Sequence, residues 1–185
     1  MAINTFIFVI NGSNSSGKDT FVDIASSLSS ELNIDEVVHI SSVDVIKKMA
    51  KRYGWDENKD EKGRKLLADL KEAWDNYNSL TQIDIFTRTK RWIISKNSFL
   101  KPRFLFVDIR EPTKIKTYID SIEKYYGDCA CTGTILIKQT RTEAASNPAD
   151  QGVNNFKYDI VIDNDGTIDD LKDKCRSFLE SLINM

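Results

Sequence analysis

The 185-residue sequence lacks the residues that mark several classes of protein. Its three cysteines, Cys129, Cys131 and Cys175, are an odd number without C-x-x-C spacing. This argues against a disulfide framework or a zinc site and favours buried thiols in a reducing compartment. There are only three prolines, and no apolar run approaches the roughly 20 residues that cross a membrane.

An excess of charge of one sign is also missing. Lysine and arginine together number 26 and aspartate and glutamate 28, which gives a formal net charge of −2. No overall basic field therefore argues for a nucleic-acid partner. The first predicted strand begins without a basic leader before it. We expect a cytoplasmic, single-domain protein that acts on a small molecule, whose oligomeric state the sequence does not indicate.

The richest chemistry lies in residues 6–20, FIFVINGSNSSGKDT. An apolar, β-branched run predicts a strand, small polar residues predict a loop, and a helical pattern follows. The Gly-x4-Gly-Lys pattern is typical of a loop that wraps around phosphate, because glycine adopts the required backbone angles and lysine adds a positive charge. The alternative is a chance glycine-rich turn. The predicted nucleotide-binding residues are Gly12, Asn14, Ser15, Ser16, Gly17, Lys18, Asp19 and Thr20.

The residue after Lys18 departs from the usual pattern. Asp19 stands where serine or threonine normally holds Mg²⁺, and Thr20 comes one place later. Both are therefore candidate metal contacts, and Asp19 could instead cap the helix. A stronger metal candidate is Asp108, which ends the apolar run 104–107. A carboxylate at the tip of a buried strand, downstream of a phosphate loop, holds Mg²⁺ through water.

Polar residues follow the other predicted strands. Residues 37–40 predict a buried parallel strand, and Ser41, Ser42 and Asp44 come directly after it. Ligands bind beyond the carboxyl ends of such strands, although these residues could also be simple helix caps. His39, the only histidine, is interpreted as a core residue of the apolar strand.

A charged, helix-rich insertion covers residues 52–98. Arg88 and Arg91 lie three apart on a predicted helix, so they share a face and could clamp a phosphate. Lys59 and Arg64 are further candidates. The alternative for all four is a solvated surface.

Positive charge also follows the third and fourth predicted strands. Arg110 could reach a bound phosphate or pair with Glu111. The strand at 132–137 leads to Lys138 and Arg141 and then to the polar stretch 142–157, which is either a lid or a disordered surface loop. After the strand at 158–163, three residues could line a nucleobase pocket, namely Asn164, Gly166 and Thr167.

Five strands that alternate with helices predict a doubly wound α/β fold. Four segments resemble the phosphate-loop nucleoside monophosphate kinases, which are adenylate kinase-like proteins, and especially the deoxynucleoside monophosphate kinases of phages and their bacterial relatives. They are GSNSSGKDT at 12–20, SSVD at 41–44, FVDIREP at 106–112 and YDIVIDNDGTIDDL at 158–171. The resemblance implies a three-layer fold with a five-stranded parallel sheet in the order 2-3-1-4-5. It implies one domain over 1–185, with its core in 1–51 and 99–185, a helical acceptor-binding insertion at about 52–98 and a lid at about 138–157.

The resemblance also implies the reaction, in which ATP with Mg²⁺ phosphorylates a nucleoside or deoxynucleoside monophosphate to the diphosphate. Lys18 would hold the donor phosphates, and Asp108 would orient Mg²⁺ through water. The charge of the transferring group would be offset by Arg110, Lys138 and Arg141. The acceptor would be bound by Ser41, Ser42, Asp44, Arg64, Arg88 and Arg91. Two alternatives stay open: a phosphate-loop kinase of another small metabolite, and a non-enzymatic nucleotide-binding switch module.

Overall fold

The computed structural model describes residues 4–95, 100–140 and 152–185. Five strands form one sheet in the order β2-β3-β1-β4-β5. Their bounds are β1 Thr5–Asn11, β2 Glu36–Ser41, β3 Arg103–Asp108, β4 Cys131–Lys138 and β5 Ile160–Asp163. The α/β class and the strand order are therefore confirmed.

Within these ranges six α-helices lie between or after the strands, and a short 3-10 turn lies at Val153–Asn155. They are α1 Lys18–Leu28, α2 Asp44–Arg52, α3 Glu61–Asn78, α4 Leu80–Ile94, α5 Pro112–Tyr126 and α6 Ile168–Ile183. Local chemistry sets several of their ends. Asp60 caps α3 by accepting the Gly63 N–H at 2.7 Å, and Pro112 occupies the first position of α5, where a missing N–H costs nothing. None of the helices in the described ranges combines the length and apolar character that crossing a bilayer needs.

The chain divides into two compact units. The core unit comprises residues 1–39 and 96–185 and contains the central strands, α1, α5 and α6. The helical unit comprises residues 40–95 and contains α2, α3 and α4.

The core unit is packed around β1 and β3, whose residues are buried along the whole of both strands. Burial on both faces is usual for parallel strands covered by helices. Phe6 and Phe104 stack on neighbouring strands at 4.8 Å between ring centroids, and Phe21 of α1 packs edge-on against Phe106 at 6.1 Å. The register pairs Ile10 with Asp108, so the tip of β3 lies beside the end of β1.

Strand β2 differs from the sequence-based expectation. Val37 and Val38 are half-buried and His39 is exposed, so the predictions of a buried strand and of a core histidine were wrong. The reason is topological: β2 is an edge strand, with a neighbour on one side only.

Strand β5 is shorter than predicted at its beginning. The prediction began the strand at Tyr158, whereas β5 begins at Ile160. The Asp159 carboxylate accepts hydrogen bonds from the Thr134 N–H at 2.9 Å and from the Thr134 hydroxyl at 2.7 Å. The Thr134 N–H is therefore bonded to a side chain and not to the backbone of the neighbouring strand, so the pairing of β4 with β5 starts later.

An ion pair between a buried arginine and a partly exposed glutamate supplies a test of this packing. The Arg103 side chain is fully buried, and its Nε lies 2.8 Å from Glu36 Oε1. We expect Glu36→Gln to lower the free energy of unfolding by up to roughly 3 kcal/mol, because a buried guanidinium loses a nearby negative charge. Urea unfolding measures the change.

The matched control is Glu31→Gln, which removes the carboxylate partner of Arg176 at an exposed site. We expect a much smaller change there, since exposed pairs contribute little. Equal effects of the two substitutions would contradict the assigned role of the Arg103 pair.

Candidate functional site

The start of the glycine-rich loop is fixed by Asn11, the fully buried last residue of β1. Its Oδ1 accepts the Gly12 N–H at 2.8 Å, and its Nδ2 donates to the Tyr158 hydroxyl at 2.8 Å. A further contact from Nδ2 reaches the Arg110 carbonyl at 3.4 Å. The buried amide thus sets the direction in which the chain leaves the sheet.

The two glycines of the loop are sterically required. A Cβ on Gly12 would lie 2.2 Å from Ser16 Oγ and 2.7 Å from the Ile137 carbonyl oxygen. Gly17 has φ +92°, a conformation that side chains disfavour, and a Cβ there would lie 2.3 Å from Asn164 Nδ2. The same Asn164 Nδ2 donates to the Ser16 carbonyl at 2.8 Å. The loop therefore closes against the segment that follows β5.

Lys18 begins α1 and lies between two carboxylates. Its Nζ is 3.4 Å from Asp108 Oδ2 and 3.4 Å from Asp19 Oδ1. The Lys18 and Asp108 side chains are each 12% exposed, whereas the Asp19 side chain is 73% exposed. The positive charge of Lys18 thus lies at the N-terminus of a helix, where the backbone dipole also favours an anion.

The role of Asp19 becomes clearer from the geometry of α1. The N-cap residue is Gly17, and no side-chain capping bond is formed in the described part of the chain, so Asp19 does not cap the helix. Its carboxylate is directed towards the Lys18 ammonium instead. Thr20 lies in the first turn of α1 and is half-buried.

A group of atoms that could ligate a metal ion lies beside this lysine. One ligand atom from each of Asp19, His39 and Asp108 lies within 4.8 Å of the others. Asp108 and Asp19 were predicted as metal contacts, whereas His39 was interpreted as a core residue of its strand. Its position near the end of the strand that precedes Ser41 was the available signal, since the carboxyl ends of parallel strands meet at one edge.

The predicted site residues of the core unit that remain are two basic residues and the segment after β5. Lys138 is exposed, and its backbone carbonyl accepts the Asn164 N–H at 2.6 Å. Arg110 is half-buried and already makes other contacts. Arg141 and most of the predicted lid lie outside the described residues. Thr167 caps α6 in a reciprocal box with Asp170, whose pKa is lowered by hydrogen bonds from the Thr167 N–H and hydroxyl. The Thr167 hydroxyl is therefore occupied, and Gly166 lies just before that cap.

Within the helical unit, three acceptor candidates come together. Asp44 Oδ2 accepts the Ser41 N–H at 2.9 Å and lies 3.0 Å from Arg88 NH1. Ser42 is buried beside them in sequence. Arg64 and Arg91 are exposed, and the Arg64 Nε donates to the Lys59 carbonyl at 2.8 Å. The structure thus groups Ser41, Asp44 and Arg88, but not the other two arginines.

No family model matches the chain, and no curated protein matches its sequence. Among solved structures it is similar to a putative kinase from Chloroflexus aurantiacus, at 12% identity over 98% of each chain with a TM-score of 0.51. It is also similar to dephospho-CoA kinase from Campylobacter jejuni, at 15% identity over 98% of each chain with a TM-score of 0.49. The APS kinase CysC of Mycobacterium tuberculosis in complex with AMPPNP and APS is 11% identical over 96% of this chain and 98% of that chain, with a TM-score of 0.47. At these identities the likeness concerns the fold.

The Asn11–Tyr158 hydrogen bond gives a testable consequence. Burial raises the pKa of Tyr158 to about 12, although the hydrogen bond from Asn11 lowers it. We expect Tyr158→Phe to lower the free energy of unfolding by about 1–3 kcal/mol, because the buried Asn11 amide loses an acceptor. Chemical denaturation at neutral pH measures this loss.

The difference in the free energy of unfolding between wild type and Tyr158→Phe should shrink as the pH rises from 10 to 12. The unfolded chain ionises Tyr158 near pH 10 while the folded chain holds its proton to about pH 12, so the wild type loses stability across this range. Tyr126→Phe is the control, because the Tyr126 hydroxyl forms no hydrogen bond within the described residues. A pH-independent difference would contradict the assignment.

Proposed function

We propose that the protein is an ATP-dependent phosphotransferase that phosphorylates a nucleoside or deoxynucleoside monophosphate. The observation that carries the proposal is Lys18, held at the N-terminus of α1 by a closed glycine-rich loop and 3.4 Å from the Asp108 carboxylate. Backbone N–H groups, a helix N-terminus and a lysine together suit the phosphates of a nucleotide.

The donor set also fits the ion that such a nucleotide carries. Asp108 and Asp19 offer carboxylate oxygens, the ligands that Mg²⁺ prefers, and Asp108 lies at the tip of a buried strand. Asp108 would hold the ion through water, with Asp19 or Thr20 as further contacts. When bound, Mg²⁺ would neutralise charge on the donor phosphates.

In such a reaction the protein residues mainly position the two substrates and compensate the negative charge of the phosphates. Bound phosphates would draw the Lys18 ammonium away from its two carboxylates, because the phosphates offer more negative charge. Arg110 and Lys138, together with Arg141 outside the described residues, would offset charge on the transferring group. The attacking phosphate oxygen of the acceptor is ionised at neutral pH, so no general base is needed. Asn164, Gly166 and Thr167 would line the donor-base pocket.

In the helical unit, Arg88 would bind the acceptor phosphate. It now pairs with Asp44, and an incoming dianion would replace that partner. The other proposed acceptor-binding residues are Ser41, Ser42, Asp44, Arg64 and Arg91.

Arg88 suits a phosphate group of any acceptor, and within the described residues nothing around it selects a nucleobase. This favours one second candidate function, a kinase of another small phosphorylated metabolite. A screen of ribo- and deoxyribonucleoside monophosphates beside phosphorylated metabolites, with ATP and Mg²⁺, separates the two. Turnover of a non-nucleotide alone would overturn the proposed acceptor. If the protein binds ATP but transfers phosphate to no acceptor, the nucleotide-binding module becomes the favoured function.

Lys18→Ala tests the donor site. We expect the rate of phosphoryl transfer to fall by at least about a hundredfold, since a preorganised charge at the transferring group is removed. Lys172→Ala, at an exposed position of α6, is the control and should keep wild-type turnover. Wild-type turnover in Lys18→Ala would refute the assignment.

Arg88→Met tests the acceptor site. The KM for the acceptor should rise by about tenfold to a hundredfold, as expected for loss of a hydrogen bond to a charged group, while the KM for ATP stays unchanged. Lys90→Met, an exposed lysine of the same helix, is the matched control. A rise in the KM for ATP alone would be the wrong outcome for an acceptor ligand.

A further inference from the structure

The cluster of Asp19, His39 and Asp108 contains one residue that the proposed reaction leaves unused. His39 is exposed near the end of the edge strand β2, and its ring nitrogen lies within 4.8 Å of carboxylate oxygens from both aspartates. Two ligand atoms each about 2.1 Å from an ion lie about 3 Å apart at a right angle and about 4 Å apart across it. The present spacing of up to 4.8 Å is thus within about 1 Å of that of two ligands on one ion. Asp19 and His39 are exposed and could contact the ion directly, whereas Asp108 would contact it through water.

The protein already places a cation at these carboxylates. The Lys18 ammonium lies 3.4 Å from one oxygen of Asp19 and 3.4 Å from one oxygen of Asp108. With His39 neutral, the four side chains carry one more negative than positive charge. An arrangement with excess negative charge and converging oxygen and nitrogen donors suits a divalent cation.

The nitrogen atom decides which cation fits. Mg²⁺ is held almost entirely by oxygen, whereas imidazole suits first-row transition ions. We propose that His39 is a direct protein ligand of a transition ion such as Mn²⁺ or Co²⁺ at this site, and that the site therefore binds these ions more tightly than Mg²⁺. This inference deepens the proposed function, because it concerns the ion of the same site.

Lys18 and the ion compete for the same oxygens. The ammonium screens both carboxylates while the phosphate loop is empty, and phosphates that attract the ammonium release them. Metal binding and nucleotide binding are therefore coupled positively, by a change of partner at one lysine.

The sequence makes the test unusually direct, because His39 is the only histidine in the chain. The experiment uses the full-length protein without a histidine tag and without nucleotide, with Mn²⁺ as the probe. Pulsed electron paramagnetic resonance detects coupling between bound Mn²⁺ and an imidazole nitrogen, and any such coupling belongs to His39. We expect this coupling in the wild type and its loss in His39→Gln.

Affinity gives a second readout. His39→Gln should weaken Mn²⁺ binding by at least about tenfold and change Mg²⁺ binding less than twofold, because only the transition ion uses the nitrogen. Asp128→Asn is the control. Asp128 is exposed between α5 and β4, at the amino end of the sheet and so opposite to Asp108. His39→Asn repeats the test with a shorter side chain if His39→Gln is unstable.

Lys18→Met should strengthen Mn²⁺ binding to the nucleotide-free protein several-fold, an effect that loss of structure would not produce. Bound Mn²⁺ without nitrogen coupling, or equal affinities of wild type and His39→Gln, would overturn the assignment of His39. Phosphoryl transfer is measured separately. If phosphoryl transfer occurs without nitrogen coupling, the assignment of His39 as a ligand is overturned and the proposed function stands. If nitrogen coupling occurs without transfer to any acceptor, the assignment of His39 stands and the proposed function is overturned.

Discussion

The site depends above all on the hydrogen bonds of one buried amide. Asn11 ends β1, the central strand, and its side chain bonds to the Gly12 N–H, the Tyr158 hydroxyl and the Arg110 carbonyl. A buried side-chain amide that water does not reach needs such hydrogen-bond partners within the protein. They belong to the loop itself, to the segment before β5 and to the segment after β3. The direction of the loop is therefore fixed by three parts of the core unit at once.

The charges around Lys18 combine an ion-pair network with a position that favours an anion. The ammonium contacts two carboxylates, yet it also lies at a helix N-terminus, where an anion is favoured. A similar pattern occurs in the helical unit, where Arg88 is neutralised by Asp44. In both units a cation that could bind phosphate is held by a carboxylate in the absence of ligand. Such pairing keeps the side chains ordered and limits the electrostatic cost of leaving charges unpaired.

Local signals in the sequence predicted much of the fold and part of the site. Gly12, Gly17 and Lys18 follow one strand and precede one helix, so their spacing alone indicated the loop. Asp108 was predicted as a residue at the tip of a buried strand because an apolar run ends there. The exposure of His39 was missed because the apolar run around it was interpreted as fully buried, although the predicted strand order already placed that strand at the edge. The bond from Asn11 to Tyr158 was missed because strand order alone does not say which distant side chains meet. Of the two roles left open for Asp19, the helix cap does not occur, because Gly17 is the N-cap residue of α1 and no side-chain capping bond is formed there.

The partners of the glycine-rich loop lie far along the chain. Asn11 and Tyr158 are 147 residues apart, and Ser16 and Asn164 are 148 apart. At the usual speed of translation, about 5–20 residues per second, the loop is made roughly 7–30 s before the residues that close it. A nascent chain that has ended after β4 therefore carries the whole phosphate-binding sequence without the contacts that shape it. Competence to bind a nucleotide should therefore arise only after Tyr158 and Asn164 have been made and have left the ribosome.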